Sequence, residues 1–96
     1  MTQTDAGEFM EHVNEGDKIR VENSEGGAWT GKISVFKEEE NGQWFKFGEH
    51  SVARYYSDEH MLQFGPGGQH INKGIHVPAT RVVNETRDIE WTHPES

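Results

Sequence analysis

Apolar and polar residues alternate along most of the chain instead of recurring at helical spacing. In GDKIRVENSEGG, Ile19 and Val21 fall on one side and Lys18, Arg20 and Glu22 on the other, the period of a half-buried strand that ends in a Gly-Gly turn. The longest alternating stretches, AWTGKISVFKEEE and QWFKFGEHSVARYY, flank Asn41-Gly42. Two-residue type I′ hairpins favour that dipeptide because both central residues need positive φ. Placing residues 41 and 42 in the loop opposes Glu39 with Trp44, Lys37 with Lys46, Val35 with Gly48 and Gly31 with Val52. One face then carries Trp29, Ile33, Val35 and Val52. The other is polar or small until the hairpin tip, where Phe36 meets Phe47 and Phe45 meets Glu38, so apolarity changes sides. A β-bulge near Phe36 or Gly48 returns the phenylalanines to the interior. Without one, Phe36, Phe45 and Phe47 lie outside, either under the N-terminal helix or as a recognition patch.

Before the first strand, Asp5 is placed to cap a short helix from Ala6 to about Val13, with Glu8 at the third helical position and Phe9, Met10 and Val13 on one side. After the hairpin, SDEHMLQF reads as a turn and a short strand, Met61 to Phe64, and GPGGQHINKG as a glycine-rich surface loop. Proline cannot donate to a strand ladder, so IHVPATRVVNE predicts a strand ending at Val77, a break at Pro78 and a closing strand from Val82-Val83. The expected organisation is one domain over residues 1–96: a short helix or flexible arm at 1–14, a β-barrel at 15–86 and a polar tail, RDIEWTHPES, within 87–96.

The residues VPATRVV, Val77 to Val83, resemble the closing signature of SH3-type barrels. That resemblance implies an all-β fold: a small, SH3-like, strongly bent antiparallel barrel of about five strands with a short N-terminal helix. Arg81 stands where that family has a tyrosine, and the family's acidic arm and groove tryptophans have no counterpart, so binding of proline-rich peptides is not implied. The stretch GDKIRVENSEGGAWTGKISVF, after a short helix, is similar in turn and glycine spacing to Sm-like RNA-binding barrels, and NKGIHV faintly resembles their second motif. The Sm-like family's acidic and Met-Asn signature has no counterpart.

Composition narrows the function classes. The chain is polar, 31% hydrophobic with a mean hydropathy of −0.91, yet its ten aromatics and alternating runs favour a folded domain. It has no apolar run of membrane-spanning length and no signal-like N-terminus, the expectation for a cytoplasmic protein that does not meet a membrane. With no cysteine, disulfides, thiolate nucleophiles and cysteine-ligated metals are excluded. The net charge of −8, with thirteen glutamates, opposes approach to phosphate backbones. An acid excess is also the surface of proteins from very salty cytoplasm, where net charge hardly steers partners. Of the six histidines, His50, His60, His70 and His76 are the ones that could converge with Glu49 or Glu59 on a metal, but no HExxH spacing occurs. Ser51, Ser57 and Asp58 lack a nucleophile-elbow context, and FGPGGQH lacks the lysine of a phosphate loop. No catalytic group, metal or cofactor is expected. The expected function is a non-enzymatic interaction module, binding a protein partner or its own copy through Phe36, Phe45, Phe47, Tyr55 and Arg54. The alternative is a nucleic-acid-binding regulator. There Arg20, Arg54, Arg81 and Lys73 meet phosphates, and Tyr55 or Tyr56 stacks on bases.

Overall fold

The computed structural model describes residues 1–23, 26–40, 42–48, 51–56, 61–66 and 77–94, with backbone alone for 56, 61–66 and 77–78. The chain is mostly β with little helix. Its elements are β1 (Thr2–Gln3), α1 (Ala6–Glu11), β2 (Lys18–Asn23), β3 (Ala28–Glu39), β4 (Gly42–Phe47), β5 (Ser51–Tyr56), β6 (Met61–Pro66), β7 (Val77–Asn84) and β8 (Ile89–Thr92). The strands form one sheet in the order β1-β8-β7-β2-β3-β4-β5-β6, and β6 also meets the start of β7 through Gln63↔Pro78 and Phe64↔Val77. Every pairing is antiparallel except that of β1 with β8. The described strands number eight where the sequence predicts about five.

The long strand β3 is the pivot of this curled sheet. Its first part, Ala28 to Lys32, pairs with β2, whereas the part from Ile33 onward pairs with β4, and the register shifts between Ile33 and Val35. The extra residue bends the strand, as bulges do. The bend brings Gly31 against Gly48. A Cβ on Gly31 would lie 2.4 Å from the Gly48 amide nitrogen, and Gly48 itself has φ +64°, so both positions need glycine.

The hairpin ladder closes at Glu39↔Gly42, which corrects the predicted register by two residues. Gly42 is the first residue of β4, not part of the loop, and Asn41 lies outside the described residues. Phe36 therefore faces Phe45, and Lys37 faces Trp44. Phe45 and Phe47 are wholly buried, their ring centroids 5.8 Å apart, together with Ile33, Ile19, Val21 and Val82. Each such side chain contributes about 1.5–3 kcal/mol by leaving water.

At the N-terminus, Asp5 caps α1 by accepting the Glu8 amide at 2.7 Å. The helix ends at Glu11, two residues earlier than the pattern suggests. Six residues are too few to hold a helix alone, and burial of Phe9, Met10 and the following Val13 against the sheet holds it in place.

Two expectations for the C-terminal third are corrected. Pro78 does not interrupt the chain: β7 runs unbroken through it, with no 3₁₀ turn. The proline is tolerated because it is the second residue of the strand. At Pro78 only β6 is paired, since pairing with β2 begins at Ala79 beside a register shift at Glu22/Asn23. Nor are residues 87–96 simply a polar tail. Ile89 to Thr92 form β8 between β7 and β1, Trp91 is 2% exposed within the core, and the His93 amide donates to the Thr80 carbonyl at 2.8 Å. The loop predicted at GPGGQHINKG lies outside the described residues from residue 67 onward.

Candidate functional site

The cleft that stands out is a consequence of the bend in β3. Up to Ile33, the chain leading into β2 stays on the edge of β3: the Gly16 amide donates to the Ile33 carbonyl at 2.8 Å, and the Ile33 amide donates to the Asp17 carbonyl at 2.9 Å. Beyond that point β3 bends away with β4, while the preceding chain turns off through residues 14–16 towards α1. The two part company and leave a cleft of about 600 Å³ between the end of α1 and β3. Met10 and Val13 from the helix side and half-buried Phe36 from β3 supply apolar surface. Glu11, Glu15 and Glu38 stand around them, all exposed. None of these three carboxylates takes part in an ion pair among the described residues. Gln43, across the hairpin ladder from Glu38, also lines the cleft, and its Oε1 is buried with no hydrogen-bond donor among the described residues.

On the other side of α1 lies a second hollow of about 680 Å³, bordered by Asp5, Glu8, Glu11 and His12 and floored by Tyr55. Gly7 leaves room there for the Tyr55 hydroxyl, which would sit 3.2 Å from a Cβ at that position. The helix is thus flanked by acidic surface on both sides.

Cations gather elsewhere. On the outer side of β2, β7 and β8, Arg81 donates through Nε to Glu90 at 2.7 Å and through Nη1 to Glu22 at 3.0 Å, and Arg20 Nε reaches the same Glu22 oxygen at 3.4 Å. Hydrogen bonds to Glu90 and Glu22 raise the Arg81 pKa further above its ordinary value. Lys18 approaches Glu85 at 3.4 Å. Asp17, buried at the start of β2, accepts from Asn84 Nδ2 and Arg87 Nε, both at 2.8 Å, and from the Asn14 amide at 3.0 Å. Burial pushes the Asp17 carboxyl up, but the hydrogen bonds from Asn84, Arg87 and Asn14 and the Arg87 charge outweigh it and hold the pKa below its ordinary value.

The residues singled out in the sequence do not form one exposed surface. Phe45 and Phe47 are core residues, and Tyr55, on the core side of β5, is 7% exposed. Arg54, on the opposite face of β5, is 6% exposed. The bulge accounts for the phenylalanines: it realigns the hairpin so that they point inward. Of the five, Phe36 lines the cleft between α1 and β3, and Tyr55 lies at the floor of the hollow on the other side of α1. Ser51 is half-buried, and the side chain of Tyr56 lies outside what the structure describes, as do Glu49, His50, Ser57, Asp58, Glu59, His60, His70, Lys73 and His76. Of the other histidines, His12 is exposed at the helix end and His93 meets the Trp91 ring edge-on at 6.0 Å. Among the described residues, no three His, Asp or Glu side chains are grouped to hold a metal, and no helix is long and apolar enough to cross a membrane. Reading the sequence missed Glu11, Glu15 and Gln43 as a group. The available signals were Phe36, out of phase with its strand, and the acidic run that begins at Glu38.

Comparison of the chain with known protein families, curated proteins and solved structures finds no match.

Proposed function

We propose that this chain is a non-enzymatic interaction module that receives a basic segment of a partner protein in the cleft between α1 and β3. The observation that carries the reading is the set of three carboxylates, Glu11, Glu15 and Glu38, around the apolar surface of Met10, Val13 and Phe36, without cations among the described residues. Carboxylates so placed attract Lys or Arg, and the apolar floor takes a neighbouring aliphatic side chain. A second copy of the chain is a poor occupant, because each copy brings a net charge of −8. The SH3-like barrel remains the architecture we favour for the module. Its support is that β7 pairs with β6 at its start and with β2 along the rest.

Nucleic-acid binding is the weaker reading. Arg20 and Arg81 are engaged with Glu22 and Glu90, Arg54 is buried, and Lys73 lies outside the described residues. The two readings separate in a titration with the peptide Thr-Lys-Thr-Val-Thr-Lys-Thr, its Glu-for-Lys counterpart and a single-stranded oligonucleotide. The lysine peptide is expected to shift amide signals of residues 10–15 and 36–43, and the combined E11Q, E15Q and E38Q variant should weaken it about tenfold. Oligonucleotide binding with a steep salt dependence, and no response to the peptide, would sink the proposal.

A further inference from the structure

We infer that the partner segment binds as an added β-strand along the free edge of β3 from Phe36 to Glu38, with one apolar side chain over Phe36 and a basic residue two positions away on each side. This inference rests on the cleft being the binding site and specifies how it is occupied. Among the described residues the edge is open, because β2 leaves β3 at Ile33, after which β3 is paired with β4 alone. In an antiparallel ladder, successive residues turn their N–H and C=O groups alternately towards and away from the neighbour. With the hairpin closing at Glu39↔Gly42 across a two-residue connection, Glu39 and Lys37 turn inward to β4. The main-chain groups of Phe36 and Glu38 then face the cleft. Among the described residues, none bonds them from that side.

Such an edge is a template for an extended chain, which would lie about 4.8 Å away. Side chains two residues apart on that chain share a face and stand about 6.7 Å apart. A Val facing Phe36 and Met10 therefore has neighbours on the same face within reach of Glu38 in one direction and of Glu11 or Glu15 in the other. Gln43, beside Glu38 on the hairpin ladder, adds a polar side chain to the same lining. Charge decides the occupant. An acidic or neutral strand gains nothing from the three carboxylates, whereas the Lys-x-Val-x-Lys pattern brings one ammonium towards Glu38 and the other towards Glu11 or Glu15.

The test uses Thr-Lys-Thr-Val-Thr-Lys-Thr and two isomers N-methylated on alternate amides, one on the odd and one on the even residues. Strand addition needs the amides on one side of the peptide and not the other. One isomer should lose about tenfold or more in affinity while the other stays close to the parent, and the parent should slow hydrogen exchange at the amides of Phe36 and Glu38. Equal effects of the two isomers, whether both bind or neither does, overturn strand addition while the cleft stands as a charged binding site. Failure of the parent peptide to bind overturns the cleft reading itself.

Discussion

Carboxylates on the two flanks of β2 meet opposite fates. Towards β7 and β8, Asp17, Glu22, Glu85 and Glu90 each have an Arg or Lys within 3.4 Å; the pairs of the first three tie the start of the sheet to segments far along the chain, and that of Glu90 ties β7 to β8. Towards α1, Glu11, Glu15 and Glu38 surround an apolar cleft with no cation among the described residues. In a chain with 17 acidic and nine basic residues, four of the cations, Lys18, Arg20, Arg81 and Arg87, are held on the flank towards β7 and β8, and the carboxylates of the cleft are left unmatched among the described residues. Total charge says little until one knows which charges are already matched.

That contrast can be broken by mutation, and the joined flank should respond most. Trp91→Ala removes the one large core side chain supplied by β8 and should cost about 3–5 kcal/mol, read as a lowered urea midpoint. An unchanged midpoint would show that β8 is not part of the cooperative unit. Asp17→Asn should cost about 2 kcal/mol by weakening bonds to Asn84 and Arg87. Because folding holds the Asp17 pKa below its unfolded value, this stabilisation is complete above the unfolded pKa and is lost as pH falls through the folded one. The acid limb of a stability–pH curve should therefore be shallower in Asp17→Asn than in the parent protein. Arg81→Leu should cost at most about 1 kcal/mol, since its side chain is 40% exposed and solvent screens its pairs with Glu22 and Glu90. Raising the salt concentration should erase much of that difference. Smallest of all, the combined Gln variant at residues 11, 15 and 38 should change stability by no more than about 0.5 kcal/mol. A large loss there would mean that these carboxylates belong to the fold, and the contrast between the flanks would collapse.

What could be read from the sequence was what local chemistry fixes. Asp5 caps α1 through a bond to a residue three positions away, and Ile19 and Val21 point inward because alternation in β2 is regular. The hairpin was legible as a hairpin but not in its register. The bulge at Ile33–Val35 is tied to the approach of Gly31 to Gly48, a contact between strands that no local pattern announces. Trp91 was hidden because β8 is four residues long in a polar context and is held by pairing with residues that are neighbours only in space. The cleft was hidden for a related reason. Glu11 and Glu38 are 27 positions apart, and only the divergence of β2 from β3 brings them to one site.

The pairing of Thr2 with Ile89 and the burial of Trp91 set an order on biosynthesis. Thr2 is synthesised nearly ninety residues before its partner Ile89, so the sheet stays unfinished until β8 has been made. A cell making this protein has to shield the exposed strands during that interval, or release the chain quickly enough that closure outruns aggregation.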